Sequence, residues 1–128
     1  MDGSQERAKR SRFNEALAVL AGHGMPIFDM MRETGQALPM QVGIWRKLRK
    51  FCKEQRAAGN PTIHGVPAGH ALRKLSRSRR YLRALAAEGA MRHDLEGNPR
   101  VPVAEEHRQY AAAKLEEARL RAEARRAA

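Results

Sequence analysis

Only one cysteine, Cys52, occurs in the 128 residues, which excludes an internal disulfide and is consistent with a reducing compartment. No apolar run approaches the roughly 20 residues needed to span a bilayer, and the opening MDGSQERAKR holds no apolar signal core. The expectation is a soluble, cytoplasmic protein with no membrane partner. Repeats of solenoid period, low-complexity tracts and phosphate-cradling glycine motifs are all missing. Acidic side chains are the other shortage: 14 Asp and Glu against 25 Lys and Arg leave a net charge of +11 and a pI near 11.0. So large an excess in so small a chain goes beyond what solubility requires and points to a polyanionic partner. The length suits one domain with a modest core.

Groups suited to catalysis or metal binding are equally thin. His64, His70, His93 and His107 follow no common zinc spacing and no cysteine pair accompanies them. Glu105 and Glu106 stand next to His107, but adjacent residues diverge on a helix, and acidic residues suit the start of one. Cys52 has no paired base and reads as core. No enzyme, cofactor, metal or small-molecule substrate is expected.

What the chain has in abundance is arginine, concentrated in residues 73–103, RKLSRSRRYLRALAAEGAMRHDLEGNPRVPV. A helix beginning at Ala71 puts Leu72, Leu75, Leu82 and Leu85 on one side and Arg73, Arg77 and Arg80 on the other, flanked by Lys74 and Tyr81. A break near residues 76–78 is the alternative, and it changes which arginines point together. Arginine rather than lysine favours a nucleic acid, because its planar fork bonds phosphate bidentately and stacks on bases.

Elsewhere the pattern is mostly helical. Residues 1–12 read as a flexible basic arm. Phe13, Leu17 and Leu20 recur at helical spacing until Gly22 and Gly24, with Asn14 as a local cap. MPIFDMM is expected to be a short buried segment entered through Pro26, with Ile27, Phe28 and Met31 in the core and Met30 filling gaps. LPMQVGI, residues 38–44, suits an edge strand or extended segment, and Gly43 a bend. Residues 45–56 form a helix with Trp45, Leu48 and either Phe51 or Cys52 on one face, and Arg46, Lys47 and Arg49 among a second basic surface. Residues 57–69, with their glycines and prolines, read as a loop. Met91, His93 and Leu95 alternate with polar residues before the turn Gly97–Asn98–Pro99, then Val101 and Val103, which is a small hairpin carrying Arg92 and Arg100. Residues 105–126 form a long alanine-rich helix anchored by Tyr110, Leu115 and Leu120, with Glu117 and Arg121 paired at i,i+4 and no capping side chain at Ala104.

RYLRAL followed by GAMRHDLEGNP resembles the signature of the ProQ/FinO domain of bacterial RNA chaperones; LPMQVGI and MPIFD are similar to that family's proline-led strand and short aromatic segment. The resemblance covers residues 13–121 and implies an α+β, mostly helical compact domain with two small β-hairpin elements and a long C-terminal helix; from its composition the end of that helix, residues 122–128, is expected to project into solvent and fray. It also implies a non-catalytic RNA chaperone that binds terminator-like hairpins with a single-stranded 3′ tail and acts in small-RNA-mediated post-transcriptional regulation; nothing in the sequence demands more than a monomer. By that resemblance Arg73, Arg80, Tyr81 and Arg92 face RNA, and Lys74, Arg77, Arg100 and Lys47 complete the candidate RNA-binding set. Gln41 stands where many relatives carry lysine, Gly69 where some carry a basic residue, and one extra residue lies between Tyr81 and Arg92. Composition alone fits an alternative, a nonspecific basic DNA-binding architectural protein. An adaptor acting through the C-terminal helix is a third reading.

Overall fold

The computed structural model describes residues 11–128. The basic arm expected at residues 1–12 therefore lies outside the described residues except for Ser11 and Arg12, which open the first helix. Helix α1 (Arg12–Leu20) is capped by Ser11, whose hydroxyl accepts the backbone N–H of Asn14 at 3.1 Å. Asn14 was the expected cap; it is instead the residue whose amide the cap satisfies, because the helix starts one residue before its first apolar side chain. Phe13, Ala16, Leu17 and Leu20 face the core.

MPIFDMM is helical rather than a bare buried segment. In α2 (Pro26–Thr34) the proline takes the first helical position, where its missing N–H is no loss, and Gly35 ends the helix in the left-handed region at φ 72°. Ile27, Phe28 and Met31 are fully buried, as the spacing predicts. Met30 lies at the margin, its sulfur against Gly97 in the hairpin turn. Gly97 has φ 85°, and this left-handed turn is what favours glycine there; a Cβ would also meet the end of the Met30 side chain, which would have to swing aside.

Of the expected extended segment 38–44, residues 38–41 form only an isolated parallel bridge, Met40 to His93, while residues 42 and 43 turn, as expected at Gly43, and Ile44 already opens the next helix. The second of the two β elements is thus a single bridge beside one hairpin. Helix α3 (Ile44–Ala57) follows and buries Ile44, Leu48 and Cys52. The loop predicted for residues 57–69 is shorter than expected, because α4 (Gly65–Arg77) starts inside it. Pro67 sits in that helix's first turn, where amides have no intrahelical acceptor, so the proline that reads as a loop signal is compatible with a helix start. Gly69 has a packing reason: a Cβ there would stand 3.2 Å from the Trp45 ring.

After α5 (Arg79–Ala86) comes the antiparallel hairpin of β1 (Met91–His93) and β2 (Pro99–Pro102), in register Met91 to Pro102 and Arg92 to Val101 with an irregularity before His93. Its turn is held by Asp94, whose carboxylate accepts the amides of Glu96 and Asn98. Helix α6 (Glu105–Ala127) closes the chain. Helix α1 packs mainly on α4, and α5 on α6.

The expected anchors of α6 do not bury. Tyr110 is 58% exposed and Leu120 projects outward, while Leu115 is half-buried and Ala111 alone is sealed. A small residue at the crossing lets α6 lie close on α5, and the larger side chains are displaced to the flanks. The capless first turn at Ala104 is tied down through the chain before it: Val103 is buried and its amide donates to the Ala90 carbonyl at 2.9 Å.

Candidate nucleic-acid interface

Where the arginines point is decided at Ser78. Its extended backbone (φ −67°, ψ 147°) ends α4 and begins α5 with no residue between them. The hydroxyl donates to the Leu75 carbonyl at 2.7 Å and accepts the Tyr81 amide at 3.2 Å. That satisfies a side chain only 3% exposed. The single helix running from Ala71 is therefore corrected to two, and Arg73 and Arg77 belong to a different cylinder from Arg80.

Two basic concavities flank this junction. The smaller, about 400 Å³, is lined by Arg12, His70, Arg73, Lys74 and Arg77. Lys74 does not stand alone there, since its ammonium pairs with Glu15 at 3.0 Å. The larger is a groove of about 1070 Å³ between α5 and α6. One wall carries Arg12, Arg77, Arg79, Arg80 and Arg83; the other is a stripe of α6 with Tyr110, Lys114, Ala118, Arg121 and Arg125. Among the described residues, eight basic side chains and no carboxylate line it. The nearest acid, Glu117, lies outside the lining and touches Lys114 at 3.5 Å and Arg121 at 3.9 Å. Clustered cations in a concave surface reinforce one another's potential, so this groove attracts extended anions. Arg12 and Arg77 line both concavities and join them.

The signature residues sit at the end of the groove and already hold the fold. Tyr81 is 5% exposed, and its hydroxyl accepts the Met40 amide at 2.8 Å. Arg92 donates to the Met40 carbonyl at 2.7 Å and to His107 Nδ1 at 2.9 Å. One residue, Met40, is thus held at both its backbone amide and its carbonyl, and the extended segment is pinned to α5, β1 and α6. Burial pushes the Tyr81 phenol above its ordinary pKa, against the opposing influence of the Met40 amide and the Arg92 guanidinium. Arg80 donates to the Gly35 carbonyl at 3.1 Å, and its guanidinium lies over the Phe13 ring, 4.7 Å from the centroid. Arg92 does not bridge to its near neighbour Asp94, which has Arg100 beside it at 4.0 Å.

Lys47 and Arg100 stand apart from the groove. Lys47 donates to the Gln41 side chain at 2.7 Å on the first turn of α3, and Arg100 stays with Asp94 on the hairpin. Of the eight candidates, Arg73, Lys74, Arg77, Arg80 and Tyr81 line the joined concavities, Arg92 touches them through Tyr81, and two lie elsewhere. Among the described residues, no helix is long and apolar enough to cross a membrane, and no three His, Cys, Asp or Glu side chains come together as a metal site.

The model of the ProQ/FINO family matches residues 11–128. The chain belongs to that family. A solved structure of a FinO-like RNA chaperone from Neisseria meningitidis superposes with a TM-score of 0.55 at 21% identity, over 98% of this chain and 96% of that one; at that identity the likeness is one of fold.

Within this ProQ/FinO domain, sequence reasoning missed the opposite wall. Tyr110, Lys114, Ala118, Arg121 and Arg125 are spaced at steps of four and three, a single stripe of a helix. That pattern is visible in the sequence, but an apolar-spacing search picks Tyr110, Leu115 and Leu120 instead.

Proposed function

We propose that this ProQ/FinO domain is an RNA-binding protein, acting as a monomeric RNA chaperone in small-RNA-mediated regulation, and that it takes a terminator-like hairpin with a single-stranded 3′ tail. The observation that carries the reading is the groove between α5 and α6, with eight cations and no carboxylate along its walls among the described residues. Phosphates supply most of the affinity to such a surface, and the shape of a folded stem with an unpaired end supplies the preference. Arg73 and Arg77 extend the cationic surface past Arg12 into the smaller cleft, where the stem would continue. Arg80, Tyr81 and Arg92 contribute by keeping the groove's end rigid as well as by charge. Family membership and the solved FinO-like RNA chaperone of the same fold support the reading.

A competition experiment tests it. Labelled hairpin RNA with an intact 3′ tail is challenged with the same hairpin lacking the tail and with duplex DNA of equal length. The tailed hairpin is expected to compete best and duplex DNA worst. Equal competition by all three would establish the architectural DNA-binding reading in its place.

A further inference from the structure

Six aromatic side chains occur in the chain, and all lie among the described residues. Phe13, Phe28 and Tyr81 are buried and Trp45 and Phe51 are half-buried, so Tyr110 is the one exposed aromatic. An exposed tyrosine needs no explanation by itself. This one, however, stands in the wall of the basic groove between α5 and α6, at the head of the α6 stripe. Lys114, one turn on, places its ammonium 5.6 Å from the ring centroid, a cation–π contact that holds the ring in place. Arg121 and Arg125 continue the stripe, so the row from Tyr110 to Arg125 runs for roughly 22 Å along the helix.

Single-stranded nucleic acids are held by this combination of cations that track the backbone and an aromatic face on which a base lies. The buried ring of Tyr81 offers no such face. We propose that Tyr110 is a stacking platform for an unpaired base, and that Lys114, Arg121 and Arg125 carry the phosphates of the same strand. This deepens the proposed function and rests on it, because it assigns the tail of the bound RNA to the α6 wall of the groove.

The test uses the full chain, with hairpin RNA bearing a short single-stranded tail and the same hairpin blunt. Tyr110→Ala is expected to weaken binding of the tailed RNA about 5- to 150-fold, with little change for the blunt one and an unchanged dependence on salt. Tyr110→Phe and Tyr110→Trp retain wild-type affinity, since each keeps a π-face. Lys114→Gln lowers the salt dependence but keeps the preference for a tail. The exposure of Tyr110 leaves the fold of these variants intact, and matching melting curves verify it. Loss of equal size on tailed and blunt RNA, no loss at all, or a phenylalanine variant as weak as alanine would each overturn the assignment. Should the wild-type chain fail to prefer the tailed hairpin over duplex DNA, the underlying RNA reading falls first, and it does so before any Tyr110 variant is measured.

Discussion

The clamp around Met40 and the walls of the groove are both built on arginine, yet they employ it in opposite ways. At the clamp, Arg92 has two acceptors, and beside it Arg80, although it lines the groove, already has a carbonyl and an aromatic ring. Along the groove, Arg77, Arg79 and Arg83 have no acceptor among the described residues. A guanidinium already bonded inside the protein stiffens the surface, whereas one that still has donors to offer can bond a phosphate. A motif defined by a sequence signature can therefore mark the residues that hold a binding surface in shape, while the residues that meet the ligand lie beside it.

If that division is right, stability and affinity should rank the same mutations in nearly opposite orders. Arg92→Ala should be the most destabilising, because the bond to the Met40 carbonyl alone is worth about 1.5–3 kcal/mol. Urea denaturation measures the loss, and an unaltered midpoint would move Arg92 from the clamp to the ligand. Tyr81→Phe leaves the buried Met40 amide without its acceptor, at a cost of about 1–3 kcal/mol. The same variant sharpens the comparison through pH. The folded protein keeps the Tyr81 proton beyond the pH at which the unfolded chain loses it, so wild-type stability falls as pH rises past about 10. The fall should be shallower in the phenylalanine variant, as thermal melts across that range would show.

Ser78→Ala removes an N-cap and costs about 1 kcal/mol, visible as a lower melting temperature. Arg83→Gln comes last in stability, within about 0.5 kcal/mol of wild type, but it should weaken RNA binding and lower the slope of log affinity against log salt by about 0.7 to 0.9. An Arg83 variant with the wild-type salt slope would break the proposed division between the two regions.

Much of this was legible in the sequence, and the gaps have physical causes. The core positions Phe13, Leu17, Leu20, Ile27, Phe28, Met31 and Leu48 follow from apolar spacing, which reports burial directly. The hairpin follows from alternation and a glycine turn. Proline misled twice, at Pro26 and Pro67, because it breaks a helix interior but suits a first turn, and composition does not say which applies. The clamp was invisible because Met40 lies 41 residues from Tyr81 and 52 from Arg92, and no local pattern encodes a pairing at that separation. In α6 the search for apolar anchors failed because contact there is made by an alanine, whose small size is what permits the close approach.

The shared residue between α4 and α5 governs the direction in which the second helix leaves the first. A substitution at position 78 that let the two helices run on as one rod would swing Arg79 and Arg83 away from the stripe on α6, although no charged side chain had been touched. The direction in which the α5 cations point is thus turned at one buried residue, and a redesign of the basic surface can begin at that corner rather than among the cations.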